Sequence, residues 1–321
     1  MEDWQIIQMF DSLYQDIRQH GRFSESRPLL AHYTSLKNLE LILKSDEIWF
    51  SNPLFMNDIQ EVRFGIMEGI THFLASKEIE IACATKKRFE KLKNHFVSFS
   101  DRYSNEGVID TYVFCLSEHI KTDNDGLLSM WRGYGENGNG AAIVFDSAKI
   151  NDIPNSPLTI GKVVYASSEQ RITWLRKKIT EFSMLLNSND IPYDKLHLAA
   201  YAFFDKIKLF AVYSKHHGFQ EEREWRVVYN PDQDRNKLLH SMFGYLIGQR
   251  GVEPKLKFKV EPIGEITDPN LTLSNLVDRI ILGPSISSPI AKASIIRMLQ
   301  ALGKSEFKDR IVASSIPFRE L

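Results

Sequence analysis

The sequence predicts an α+β fold built on a mixed, mainly antiparallel sheet with helical insertions. Short apolar segments rich in β-branched and aromatic residues recur along the 321-residue chain, as at 111–117 and 141–145. Two long segments, 60–105 and 167–213, instead carry apolar residues at helical spacing. No repeat and no Gly/Ser-rich linker divides the chain, so we expect one domain over residues 29–321 with two helical insertions.

Residues 1–28 are expected to form an N-terminal amphipathic helix and its lead-in, because apolar residues recur at helical spacing over 2–20 and Gly21 can end the helix. Thr34 and Ser35 both offer caps for the next helix. The elements predicted for the first half are strands at 29–33, 47–51, 111–117 and 141–145, and helices at 36–43, within 60–100 and at 127–134.

The second half contains the most helical part of the chain, 167–213, and several further predicted strands. Residues 163–165 are expected to continue the sheet, and 237–248 fit either a helix or a long excursion. The other predicted elements are helices within 167–213 and at 290–302, and strands at 225–229, 255–260, 279–282 and 310–313.

Composition excludes several classes of protein. The 40 basic and 41 acidic residues give a net charge of -1, which offers no bulk electrostatic attraction to nucleic acid or membrane. The net charge does not exclude a local basic patch. Cys83 and Cys115 are too few for a disulfide framework or a four-cysteine zinc site and suit a reducing cytoplasm. The start lacks the pattern of a signal peptide, and no apolar run is long enough to span a bilayer, so a cytoplasmic protein is expected.

The most concentrated charge lies in the stretch 215–226, which reads as the beginning of a strand. A strand places residues i and i+2 on one face, so Glu222 and Glu224 are expected to point the same way, with Arg226 beyond them. Such a pair can stabilise a cationic transition state or orient a ribose hydroxyl. The alternative, equally open from the sequence, is ion pairing with neighbouring arginines or Lys215.

Two further motifs are candidates for ligand binding. His32, Tyr33 and Thr34 end a predicted strand and can offer an imidazole, a ring and a hydroxyl to a ribose and a planar base, or simply cap a loop. The glycine-rich run 131–140 lacks the lysine of a phosphate-binding loop and reads as a tight turn. His216 and its neighbour would point apart on an extended chain, so no metal site is predicted.

The order of these motifs resembles the bacterial domain-of-unknown-function 2971 family. The segments that carry the resemblance are His32-Tyr33-Thr34, Ile48–Pro53, Phe55–Asp58, Phe114–Glu118, Met130-Trp131 with Tyr134, Glu222–Arg226 and Ile281–Pro284. The family's Trp-Ser/Ala-His-Tyr box appears here as Trp131-Arg132-Gly133-Tyr134, so no role is assigned to a histidine there.

The layout of an early His-Tyr-Thr strand and a late Glu-x-Glu strand is also similar to ADP-ribosyltransferases, and implies a sheet core of that type. This resemblance implies NAD as substrate and Glu224 as the catalytic carboxylate, assisted by Glu222. The residues that it places around NAD are His32, Tyr33, Thr34, Asn57, Asp58, Trp131, Tyr134 and Arg226. Arg226 is at the same time a candidate ion-pair partner.

The expected activity is therefore transfer of ADP-ribose from NAD to a protein or nucleic acid, as in a toxin or an effector of anti-phage defence. A regulatory or antitoxin protein is a possible partner. Two alternatives belong to other classes. One is a non-catalytic module that senses a nucleotide or a phage protein, and the weaker one is a metal-dependent nuclease that uses Asp58, Glu61, Glu222 and Glu224.

Overall fold

The computed structural model describes residues 1–14, 16, 23–56, 59–104, 111–151, 153–154, 156–248 and 251–318. Within these ranges the strands are β1 (Leu29–Thr34), β2 (Glu47–Ser51), β3 (Tyr112–His119), β4 (Ala141–Asp146), β5 (Leu158–Lys162), β6 (Val164–Ala166), β7 (Ser214–His216), β8 (Glu224–Tyr229), β9 (Phe243–Gly248), β10 (Gly251–Lys259), β11 (Val277–Leu282) and β12 (Ile311–Ala313).

The helices of the described ranges are distributed along the whole chain. They are α1 (Asp3–Met9), α2 (Phe23–Ser26), α3 (Leu36–Ser45), α4 (Ile59–Leu74), α5 (Lys77–Ala82), α6 (Lys86–Arg102), α7 (Leu128–Tyr134), α8 (Ser168–Ser188), α9 (Leu196–Tyr213), α10 (Leu273–Leu276) and α11 (Pro289–Ala301). None of these helices combines the length and the apolar composition needed to cross a membrane.

The chain divides into two compact units. A helical unit comprises Met1–Arg22, Pro53–Asp110 and Val163–Phe219. A sheet unit comprises Phe23–Asn52, Thr111–Lys162 and Gln220–Leu321. The N-terminal helix α1 and the two predicted helical insertions thus fall in the same unit.

The sheet unit contains a ten-stranded sheet, counted over the described residues. Eight strands follow the order β12-β11-β4-β1-β3-β2-β10-β9, and β8 pairs with β3 on one side and with β5 on the other. The β11–β12 pair is parallel, whereas β1, β3, β4 and β8 are joined by antiparallel ladders. The prediction of an α+β fold with a mixed, mainly antiparallel sheet is confirmed.

Both faces of the sheet are apolar near its centre, and the strands distribute their side chains by alternation. On one face, Leu30 and Phe114 belong to the larger core. On the other, Ala31, Val144 and Trp131 form a smaller core. Because neighbouring residues of a strand point to opposite faces, the two cores fix which side each polar residue of β1, β3 and β8 can occupy.

The helical unit has its own core, rich in phenylalanine. Phe73 stacks on Phe96 with 3.6 Å between ring centroids, and Phe182 packs against Phe203 at 4.5 Å. These rings come from α4, α6, α8 and α9, which places the apolar positions of the predicted helices on their shared inner faces.

Three predictions of secondary structure are corrected. Residues 163–165 do not continue the main sheet, because β6 pairs in parallel with β7 in a separate two-stranded sheet. Part of 237–248 is neither helix nor excursion, since Phe243–Gly248 forms β9. The opening helix ends at Met9 and continues as a 3-10 turn over Phe10–Tyr14, and the rest of the predicted stretch to residue 20 lies outside the described residues except for Asp16.

Candidate functional site

The polar cluster at the start of β8 is built on a buried ion pair. Nε of Arg226 donates to Oε1 of Glu224 at 2.8 Å, and Nη2 donates to Oε2 at 3.0 Å. Glu224 is 4% exposed and Arg226 is 1% exposed. The two residues are i and i+2 on the strand, so their side chains leave the same face. The carboxylate of Glu224 is therefore held by both of its oxygens, as the ion-pair alternative predicts.

Glu222 does not lie on this strand, which corrects the prediction that both carboxylates share one strand face. It ends the 3-10 turn His217–Glu222, and β8 begins only at Glu224. Between them Arg223 has a φ of 45°, in the left-handed region that non-glycine residues rarely adopt. The chain thus turns sharply between the two carboxylates.

The side chain of Glu222 meets a different neighbour from that of Glu224. The hydroxyl of Tyr134, the last residue of helix α7, donates to Oε1 of Glu222 at 3.2 Å. The backbone carbonyl of Glu222 accepts from Oγ of Ser117 at 2.7 Å, which anchors the turn to β3. Glu222 is half-buried and Tyr134 is exposed, so this pair borders solvent.

Tyr33 and Trp131 are brought together, as the site prediction requires, but inside the fold. Their rings meet edge to face with 4.8 Å between centroids. The Tyr33 hydroxyl accepts from the backbone N–H of Leu127 at 2.9 Å, and Nε1 of Trp131 donates to the carbonyl of Asp125 at 2.8 Å. Burial raises the pKa of Tyr33 to about 12. Both side chains are buried, so neither ring is presented at the surface for a ligand to stack on.

His32 lies on the opposite face of β1 from Tyr33. Its ring packs against Phe114 at 4.6 Å, and Nδ1 lies 3.2 Å from the carbonyl oxygen of Cys115. Since a carbonyl only accepts, Nδ1 carries the proton and donates. Burial lowers the pKa of His32 to about 4, which keeps the ring neutral at pH 7. The strand therefore separates the imidazole from the phenol, and Thr34, two residues on, shares the side of His32.

The glycine-rich loop after α7 is a close backbone packing site. A Cβ on Gly140 would overlap the carbonyl oxygen of Thr34, and one on Gly283 would overlap that of Gly138. Glu136 has a φ of 48°, another left-handed residue in the same turn. These contacts agree with the interpretation of the loop as a tight turn before β4.

One polar contact of the sheet unit had no predicted role. Glu118 accepts from Nζ of Lys162 at 2.7 Å and from Nε1 of Trp225 at 3.0 Å. Burial opposes ionisation of this carboxyl, but those two hydrogen bonds hold its pKa below the usual value. Glu118 stands in a motif of the family resemblance, yet its partners are 44 and 107 residues away in the chain, beyond any local pattern.

Asn57 and Asp58 lie outside the described residues, so their predicted part in the pocket stays a prediction. Across the part of the chain that the structure describes, no group of three or more His, Cys, Asp or Glu residues is placed to hold a metal ion.

The geometry defines an α+β protein with a polar cluster of Tyr134, Glu222, Glu224 and Arg226 at the start of a central strand. Residues 130–227, which include this whole cluster, match the family described as "Protein of unknown function (DUF2971)". The predicted family resemblance is thereby confirmed over this segment, which includes Met130, Trp131, Tyr134 and Glu222–Arg226 of the motifs that carry it. No curated protein matches the chain, and no solved structure does.

Proposed function

We propose that the chain is an NAD-dependent ADP-ribosyltransferase-like enzyme, with a sheet core of that type, and that Glu222 is the carboxylate that meets the substrate. The observation that supports this assignment is the contact between Glu222 and Tyr134 at 3.2 Å, at the border with solvent. The neighbouring Glu224 is buried and paired with Arg226. The roles are thus exchanged relative to the sequence-based hypothesis, which gave the chemistry to Glu224.

In the proposed reaction, the bond between C1′ of the ribose and the nicotinamide nitrogen breaks. Nicotinamide leaves as a neutral molecule with the bonding electron pair, and positive charge develops on the ribosyl group. A fixed carboxylate lowers the energy of that cation. A nucleophile of the target forms the new bond to C1′ and loses a proton. Glu222 is half-buried beside the exposed Tyr134, whereas Glu224 is buried with both oxygens held by Arg226. Glu222 is therefore the carboxylate better placed to approach a ribosyl cation.

Glu224 and Arg226 have a positioning role in this proposal. Their bidentate pair fixes the first residues of β8, directly after the turn that carries Glu222. A displacement of about 1 Å of a catalytic group can cost a factor of about 100 in rate. Loss of the pair should therefore reduce activity through the position of Glu222.

The experiment compares Glu222→Gln with Glu221→Gln, a matched control on the same turn whose side chain is exposed. Nicotinamide release from NAD is measured with purified protein, and added ADP-ribose is sought by mass spectrometry of cellular protein and nucleic acid after induced expression. We expect Glu222→Gln to lose at least about 100-fold of the wild-type activity with unchanged stability. Wild-type protein that neither consumes NAD nor modifies any target, or a fully active Glu222→Gln, would contradict the proposal.

A second candidate function is a non-catalytic module that senses a nucleotide or a phage protein. The buried pair favours it, because both carboxylate oxygens of Glu224 are already occupied by Arg226. Saturable binding of NAD or a non-reactive NAD analogue in calorimetry, without nicotinamide release, would support this candidate over the enzyme. Either function, transfer of ADP-ribose or sensing, would suit a toxin or an effector of antiviral defence.

A further inference from the structure

Strand β9 is one end of the ten-stranded sheet. It pairs with β10 from Phe243 to Gly248, and no other strand in the described ranges pairs with it. An edge strand presents a row of backbone N–H and C=O groups that point away from its neighbour. The outer side of β9 is therefore able to accept one more strand.

The side chains of this hairpin are apolar and exposed. Tyr245 is 59% exposed and Ile247 is 71% exposed, and both leave the same face of β9. Val252, directly opposite Ile247 on β10, is 62% exposed. Leu246, on the other face, is also exposed. Apolar side chains thus flank the open edge on both faces of the sheet.

The edge lacks the features that usually keep such a strand single. Its sequence, Phe-Gly-Tyr-Leu-Ile-Gly, contains no charge and no proline. Natural edge strands are commonly protected by lysine, proline, a bulge or a very short length. The opposite edge of the same sheet follows this rule, because β12 has only 3 residues. By these criteria β9 is less protected against pairing with a further strand than β12 is.

We propose that β9 pairs antiparallel with β9 of a second copy of this chain, across a two-fold axis perpendicular to the sheet. Such a contact is isologous, so the strand must be complementary to itself. A strand without charge meets that condition, since no like charges are brought together. With Leu246 opposite its own copy, Tyr245 of one chain lies across from Ile247 of the other, an aromatic–β-branched pair of the kind that stabilises sheets. The interface would be independent of the proposed function.

The test measures the mass of the full chain in solution by sedimentation and light scattering over a range of concentrations. We expect wild type to reach twice the 37.0 kDa of one chain, and Ile247→Lys to sediment as a single chain at the same concentrations. The matched control is Ile290→Lys, at an isoleucine that is 80% exposed on α11, and it should stay dimeric. Circular dichroism checks that both variants are folded.

Hydrogen exchange gives a second measurement, at the strand itself. The backbone amides of Tyr245–Ile247 that point outward should become protected as the wild-type concentration rises, and those of Ile247→Lys should not. A wild-type chain that is monomeric throughout would overturn the proposal, as would a dimer that Ile247→Lys leaves intact. A different protein bound stoichiometrically at β9, and lost in Ile247→Lys, would overturn the second copy as the occupant.

Discussion

Replacing Arg226 with methionine tests the central contact of the candidate site. Methionine keeps much of the length of the arginine stem but removes the guanidinium that holds both oxygens of Glu224. The carboxylate would then remain in a buried position without the guanidinium that holds both of its oxygens. We expect a large loss of stability in the sheet unit, because the charge cannot regain water without opening β8.

The expected magnitude follows from burial. Removing one partner of a buried ion pair typically costs about 3–5 kcal/mol, and solvent screening reduces that figure little here because the two side chains are only 2% and 6% exposed. The pair between Lys162 and Glu118 gives an internal comparison. Its side chains are 35% and 34% exposed, so Lys162→Met should cost only about 1 kcal/mol or less.

Native-state hydrogen exchange of the β8 amides measures the opening free energy of this strand directly, and does not require the whole chain to unfold in one step. The double variant Glu224→Gln, Arg226→Met removes both charges and should recover part of the loss, since the carboxylate that Arg226 held is then neutral as well. The reasoning would be refuted if Arg226→Met cost no more than Lys162→Met, or if the double variant were as unstable as the sum of the single ones.

Two other predictions concern the buried His32 and a pair of glycines, Gly133 and Gly140. Because burial lowers the pKa of His32 to about 4, the unfolded chain binds the extra proton between pH 6.5 and pH 4. The free energy of unfolding should fall by about 3 kcal/mol over that range. Urea unfolding at a series of pH values measures this, and an equally steep pH dependence in His32→Asn would contradict it. Gly140→Ala should destabilise by about 3 kcal/mol or more, because its Cβ would overlap the Thr34 carbonyl. In contrast, a Cβ on Gly133 would have no atom within 4 Å, so Gly133→Ala should stabilise helix α7 by up to about 1 kcal/mol. Thermal denaturation measures both variants, and equal curves for the two would refute this argument.

The elements that the sequence predicts well are those whose local pattern agrees with their environment. Strand β3 combines β-branched and aromatic residues and is buried on both faces. Helix α3 begins directly after Ser35, one of the two predicted caps, whose hydroxyl accepts from the backbone N–H of Asn38. Strand β9 escaped prediction because its pattern is apolar throughout, which fits either a helix or an extended segment. Its assignment depends on pairing with β10, a tertiary fact.

The candidate site was predictable in its residue types and not in its geometry. The sequence brings together Glu222, Glu224 and Arg226, and the structure places Glu224 on Arg226 but Glu222 on Tyr134. Alternation predicts that Glu222 and Glu224 are equivalent neighbours on a strand. That inference assumes that the backbone of Arg223 is extended. Nothing in the neighbouring sequence predicts that this arginine has a positive φ.

The turn at Arg223 is what makes the two carboxylates chemically different. A non-glycine residue in the left-handed region costs about 1–3 kcal/mol, and here the strain is held by hydrogen bonds on both sides. The N–H of Arg223 donates to the carbonyl of Gln220 at 3.2 Å, and its carbonyl accepts from the N–H of Glu118 at 2.9 Å. If Arg223 were extended, Glu222 would continue the strand on the face of Glu224 and compete for the same guanidinium. The strained turn instead directs Glu222 to Tyr134, where its side chain is half-buried, while Glu224 stays buried on Arg226.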